Sequence, residues 1–111
     1  MIMEENFFKN VYEIVKLIPK GRATSYGLIG QYLGMKSGAT MVGWAMNAAH
    51  GLPDVPAHRV VNAQGLLTGK MHFATPDMME ELLLDEGVVV KNDKIQDYKS
   101  KVLWNPNEEL L

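Results

Sequence analysis

Two short apolar-periodic stretches joined by Gly34-Met35-Lys36-Ser37 constrain this chain most. Tyr26, Ile29 and Leu33 recur at i, i+3 and i+7, and Met41, Val42, Ala45 and Met46 form a second stripe. Thr24 or Ser25 can cap the first stretch, Ser37 can cap the second, which runs to about Ala49, and Gly34 is a natural stop between them. Two helices with so short a joint read as a helix-turn-helix. Gly27 and Gly30 weaken the first helix intrinsically, so close packing has to support it.

The flanking segments complete the architecture. Phe7, Val11, Ile14, Val15 and Ile18 draw one apolar helical face over about residues 4–17, broken by Pro19-Lys20-Gly21. A loop follows over residues 51–57. Val60-Val61 and Leu66-Leu67, separated by Asn62-Ala63-Gln64-Gly65, predict a small β-hairpin. Thr75-Pro76-Asp77 is a start signal for a fourth helix that buries Met78, Met79, Leu82 and Leu83 and stops at Gly87. Val88-Val89-Val90 reads as a short strand, and Asn92-Asp93 marks a turn. Tyr98, Leu103 and Trp104 are expected to fold back on the core ahead of a polar tail. The predicted class is α+β: a winged-helix-like domain with a helix-turn-helix and a small β-hairpin, one domain over residues 1–111.

Composition matters for what it excludes. The chain has no cysteine, which rules out thiol chemistry, disulfides and thiolate metal sites. His50, His58 and His72 lack close ligand spacing, so neither a metal nor a cofactor is expected. There is no run of roughly 18 apolar residues, hence no predicted membrane partner. Met1-Ile2-Met3-Glu4-Glu5 is too short and acidic for a signal peptide, which points to a cytoplasmic location. The formal net charge is −2, yet residues 20–72 hold Lys20, Arg22, Lys36, Arg59 and Lys70 against Asp54 alone. A basic middle on an acidic body is a local electrostatic footprint of the kind that meets nucleic acid. Chance clustering of so few charges is the competing reading.

The stretch Pro56-Ala57-His58-Arg59-Val60-Val61 carries a family likeness. It joins Val11-Tyr12, Ile18-Pro19-Lys20-Gly21-Arg22, Thr24-Ser25-Tyr26-Gly27, Leu33-Gly34, Val42-Gly43, Glu80 with Leu82-Leu83, Glu86-Gly87-Val88 and Leu103-Trp104. In this order and spacing the chain resembles the DNA-binding, active-site domain of 6-O-alkylguanine-DNA alkyltransferases over nearly its whole length. Those enzymes have Pro-Cys-His-Arg-Val, and the cysteine takes the alkyl group irreversibly. Ala57 stands at that position, and a methyl side chain cannot be an acceptor. The resemblance therefore implies a protein that is not an enzyme. His58 and Glu86, which in the enzymes activate the thiol through a water, are left as a hydrogen-bonded structural pair. The pattern is similar to the alkyltransferase-like branch, whose members bind alkylated guanine in DNA without repairing it and signal to nucleotide-excision repair. The implied partners are double-stranded DNA with alkylated guanine and nucleotide-excision-repair proteins, with the chain acting as a monomer.

The same resemblance assigns residues. Tyr26 falls on the tyrosine that pushes on a phosphate and helps rotate the nucleotide. The third helix corresponds to the one laid in the minor groove, bringing Ser37, Thr40, Met41, Gly43 and Trp44 to DNA. Tyr26, Met46, Pro56, Ala57, Arg59, Val60, Lys70 and Met71 correspond to the lesion pocket, although composition alone reads Met46 and Val60 as plain core. Ala57 leaves more room than cysteine, so bulkier 6-O-alkyl groups are expected to enter. Phosphate contacts are expected from Lys20, Arg22, Lys36, Lys70 and the amino end of the third helix. Two positions depart from the family. Thr40 replaces the arginine that fills the stack where the base leaves, with Met41 or Trp44 as candidate apolar wedges. Ala49 replaces an asparagine that supports the active loop, and residues 69–73 do not match the enzymes' pocket wall. A sequence-specific winged-helix regulator is disfavoured, because the third helix offers only Thr40 and Asn47 for base edges. An interaction module that has lost lesion binding is the remaining alternative.

Overall fold

The computed structural model describes residues 3–35 and 37–111, with side chains described from Phe7 onward. Lys36, expected as a phosphate contact, lies outside the described residues. The chain runs α1 (Met3–Val15), β1 (Thr24–Ser25), α2 (Tyr26–Tyr32), α3 (Gly38–Ala48), β2 (Val60–Val61), α4 (Met78–Asp85), β3 (Val90–Lys91), β4 (Lys94–Ile95) and α5 (Pro106–Glu109).

The helix-turn-helix forms where the sequence places it. Ser25 caps α2, its hydroxyl oxygen accepting from the Leu28 N–H at 3.2 Å. Gly34 closes α2 in the left-handed region at φ +80. Gly30 and Gly38 let α2 and α3 touch backbone to backbone: a Cβ built on Gly30 would lie 2.8 Å from the Gly38 Cα. That contact accounts for a glycine inside a helix. Ser37 precedes α3 but makes no side-chain capping bond, because its ψ of 37 departs from the extended backbone that such a cap uses. Val42, Ala45 and Met46 are buried as expected, while Met41 is only half-buried. The apolar stripe of α1, Val11, Ile14 and Val15 with Ile18 beyond it, packs into the same core as α3. The Tyr12 hydroxyl also donates to the Ala45 carbonyl at 2.8 Å.

The predicted hairpin at residues 60–67 is not the one that forms. Val60-Val61 pairs in parallel with Thr24-Ser25, in register Thr24↔Val60 and Ser25↔Val61. Both valines are buried, at 1% and 0% exposure, and a strand covered on both faces suits an interior parallel pairing. Asn62 curls the chain away, its side-chain oxygen accepting from the Gln64 and Leu66 N–H groups. Leu66-Leu67 then runs beside β4, with the Leu67 N–H on the Asp93 carbonyl at 2.8 Å. The hairpin of this fold is β3–β4, closed by Asn92 and Asp93 at φ 53 and 61, a pair of positive values that matches the strand twist.

Helix α4 begins at Met78, later than the Thr75-Pro76-Asp77 signal implies, because neither Thr75 nor Asp77 caps it with a side chain. It buries Met79 and Leu83, leaves Met78 and Leu82 half-buried, and is followed by Gly87 at φ +86. Tyr98 and Trp104 fold back on the core at 5% and 4% exposure. The polar tail holds the helix α5, which the sequence reading missed. Asn105 caps it, Pro106 starts it, and the Asn107 side chain donates to the Leu28 carbonyl at 3.2 Å.

Two apolar clusters result. One joins α1, α2 and α3 with Val60 and Trp104, and the other joins α4 and β3–β4 with Ala23, Val61, Tyr98 and Val102. Val60 and Val61 point to opposite faces of one strand and so serve different clusters. Residues 56–61 therefore cross the seam between them.

Candidate nucleic-acid interface and pocket

At the seam, Glu86 collects four partners from three segments. Its carboxylate accepts from the Gly21 N–H at 2.9 Å and lies 2.7 Å from His58 Nε2. Arg59 grips it with Nε at 3.1 Å from both oxygens and one terminal nitrogen at 2.7 Å. The other terminal nitrogen of Arg59 donates to the Ile18 carbonyl at 2.9 Å. The Glu86 side chain is 7% exposed. Burial raises its pKa, but Arg59, the Gly21 N–H and His58 outweigh that and bring it down to about 2. The result is an ionised cross-link tying the 18–21 loop and the Ala57–Arg59 turn to the end of α4. The expected His58–Glu86 pair is there. Arg59 is its third member rather than a group free for the pocket, because a buried carboxylate needs a compensating charge.

Beside this cross-link lies a cavity of about 490 Å³. Its walls are Leu52, Pro53, Val55, Pro56 and Ala57 from the loop, Phe73, and Met78 and Leu82 from α4. Lys16, Ala49, His50, Asp54, His58 and Arg59 complete it. His50 packs edge-on against Phe73, with ring centroids 4.5 Å apart, and faces His72 at 6.1 Å. Burial, then the nearby His72, lowers the His50 pKa. Of the residues expected in a lesion pocket, Pro56, Ala57 and Arg59 line this cavity. Met46 and Val60 do not, being buried in the helical core at 4% and 1% exposure. Met71 is 69% exposed and points away from the lining set. Tyr26 is half-buried outside the cavity, its hydroxyl so close to Gly69 that a Cβ there would lie 2.9 Å away. Burial pushes the Tyr26 pKa up, and a hydrogen bond with Thr68 draws it back.

The outward face of α3 carries Thr40, Trp44, Asn47 and Ala48, with Ser37 at its start, all exposed, while Met41 and Gly43 are half-buried. No atom comes within 4 Å of a Cβ built on Gly43, so the backbone there faces open space. Helix α3 ends in a short turn at Ala49–Gly51 that lines the cavity with Ala49 and His50. A candidate groove-binding face and a base-sized cavity thus lie along one element.

The chain matches the family model for the 6-O-methylguanine DNA methyltransferase DNA-binding domain over residues 6–88. It belongs to that family. It is 36% identical over 109 residues to alkyltransferase-like protein 1 of Schizosaccharomyces pombe, covering 96% of this chain and 100% of that protein. A DNA base-flipping protein of Escherichia coli is 32% identical, covering 95% of this chain and 79% of that protein. The fold aligns at a TM-score of 0.77 and 32% identity with the crystal structure of S. pombe Atl1 in complex with damaged DNA containing O6-carboxymethylguanine, covering 96% of this chain and 100% of that one.

Within this methyltransferase-family domain, the cations expected at phosphates divide. Lys20 is exposed. Arg22 is turned inward, its Nε donating to the Val102 carbonyl at 2.9 Å and a terminal nitrogen to the Leu103 carbonyl. It clamps the C-terminal segment, and the carbonyls that end the Tyr98–Val102 turn attract it there. Lys70 is paired with Asp93 at 2.6 Å, and its pKa is raised by that bond first, with Asp77 and Glu80 adding to it. It ties the hairpin tip to the Lys70–His72 turn rather than lining the cavity. Arg22→Ala is accordingly expected to lower stability by about 2 kcal/mol while leaving the salt dependence of DNA binding unchanged. A denaturant melt together with a salt titration checks this; a slope shallower by about 1 would restore Arg22 to the phosphates. Among the described residues, no helix is long and apolar enough to cross a membrane.

Proposed function

We propose that this chain is a DNA-binding sensor of 6-O-alkylguanine damage that rotates the lesion out of the duplex and holds it without alkyl transfer. The observation that carries this reading is Ala57 on the wall of a 490 Å³ cavity, next to the complete cross-link of His58, Glu86 and Arg59. The frame around an alkyl-accepting position is kept, and the chain has no cysteine to accept anything. In the absence of a thiol, a cavity beside a DNA-binding helix serves recognition, since a flipped base needs a pocket that excludes water and stacks it. The S. pombe relative in complex with damaged DNA and the base-flipping name of the E. coli relative support this direction.

In this reading Ser37, Thr40, Met41, Gly43 and Trp44 meet the minor groove, Tyr26 and Lys20 meet phosphates, and Pro56, Ala57 and Arg59 border the base. The chain acts as a cytoplasmic monomer and presents the bound lesion to nucleotide-excision-repair proteins. The competing interaction-module reading draws on the inward commitment of Arg22, Arg59 and Lys70, which thins the positive field available to DNA. Competition between duplexes with and without 6-O-methylguanine separates the two. The sensor prefers the damaged duplex and returns it chemically unchanged. Equal affinity rejects the sensor, and label passing from methylated DNA to protein rejects the non-catalytic part.

A further inference from the structure

Trp44 stands where the fold does not need it. It is 56% exposed at the middle of the outward face of α3, whereas the chain's other tryptophan, Trp104, is 4% exposed. A tryptophan is a large apolar body that a monomer ordinarily covers. The residues one turn away on the same face, Thr40, Asn47 and Ala48, are exposed and shorter, and Gly43 beside it offers no side chain at all. An indole therefore projects from a face of small groups. Met41, the other large apolar residue near this face, is half-buried and has less reach.

The position of Trp44 relative to the cavity adds a second constraint. Helix α3 runs from Trp44 toward Ala49 and His50, which line the cavity. At about 1.5 Å per residue, the Trp44 backbone lies about 8 Å along the helix from the cavity wall. A base that leaves the stack for that cavity opens a gap close to where it swings out. An apolar ring is suited to such a gap, because it restores stacking to the flanking bases and needs no sequence-specific hydrogen bond.

We infer that Trp44 enters the gap vacated by the rotated nucleotide and keeps the lesion extrahelical, making it the positioning residue for flipping. This rests on the sensor reading proposed above, and its occupant is the DNA base stack rather than a protein partner. The exposed indole beside one buried one also supplies the assay. Intrinsic fluorescence is followed while a 6-O-methylguanine duplex, with 2-aminopurine next to the lesion, is titrated in. Trp44 emission is expected to be quenched as 2-aminopurine emission changes. Trp44→Ala is expected to weaken binding to the damaged duplex about tenfold, and Trp44→Phe to recover most of that loss. The slope of log K against log salt should stay at the wild-type value, since an indole carries no charge. Wild-type melting of Trp44→Ala identifies the loss as one of contact. If the wild type prefers the lesion while Trp44→Ala keeps full affinity and Trp44 is unquenched, the inference is overturned and the sensor reading stands. A protein-docking role for Trp44 gives that same pattern and overturns it likewise. No lesion preference in the wild type overturns both.

Discussion

Glu86→Ala is expected to lower the unfolding free energy by on the order of 3–5 kcal/mol, because removing one partner of a buried ion pair leaves the other charge uncompensated. Arg59 would keep only its bond to the Ile18 carbonyl, and the Gly21 N–H and His58 would lose their acceptor. The effect has a defined pH dependence. The carboxyl's ordinary value is 4.5 and the folded protein holds it near 2. A depressed carboxyl stabilises fully above its unfolded pKa and loses that contribution as pH falls through the folded one, so the window runs from about 4.5 down to about 2. A shift of this size corresponds to roughly 3 kcal/mol. Denaturant melts of the wild type and Glu86→Gln at pH 7, 4.5 and 3 measure it. The gap between the two proteins should be widest at pH 7 and close as the acid protonates the wild-type carboxylate. A gap that is constant across the series would remove Glu86 as the source.

The second large effect concerns the size of the lesion. A duplex with 6-O-butylguanine is expected to bind roughly fifty-fold more tightly than one with 6-O-methylguanine. The cavity of about 490 Å³ is walled near Ala57 by Leu52, Val55, Pro56, Phe73, Met78 and Leu82, which are apolar groups suited to an alkyl chain. Each methylene moved from water onto such walls contributes about 0.8 kcal/mol, close to fourfold in affinity, and butyl adds three to methyl. Ala57→Leu places carbon in the same space and should flatten the series. Competition titrations with methyl, ethyl, propyl and butyl adducts read the gradient directly. Equal affinities, or a preference for methyl, would show that the alkyl group does not enter this cavity.

Local features of the chain were legible in the sequence for a common reason. The α1 stripe, the Ser25 cap, the Gly34 stop and the turn at Asn92 and Asp93 each depend on residues within a few positions of one another. The short distance between cause and consequence makes such signals readable. Helix α5 was local too, with Asn105, Pro106 and the acids of its first turn as an unused signal. The failures were long-range. Val60-Val61 alternates with Leu66-Leu67 around a plausible turn, yet its partner is β1, reached through packing that no neighbouring residue encodes.

The cations teach the same lesson at the candidate site. Lys20, Arg22, Arg59 and Lys70 look alike in a charge count. The fold leaves Lys20 exposed, turns Arg22 onto the carbonyls of Val102 and Leu103, locks Arg59 onto Glu86, and pairs Lys70 with Asp93. A basic middle therefore overstated the field presented to DNA. Two tryptophans were equally alike in the sequence, and only packing separated the buried Trp104 from the exposed Trp44.

The sequence by itself determined the helix-turn-helix, the family likeness around residues 56–61, and the absence of any thiol, because helix periodicity, motif spacing and atom type are properties of the covalent chain. The tertiary structure alone decided which charges are free, which apolar groups are covered, and where a cavity opens beside Ala57. Those are matters of who lies next to whom across the seam between the two cores, and distance along the chain carries no record of it.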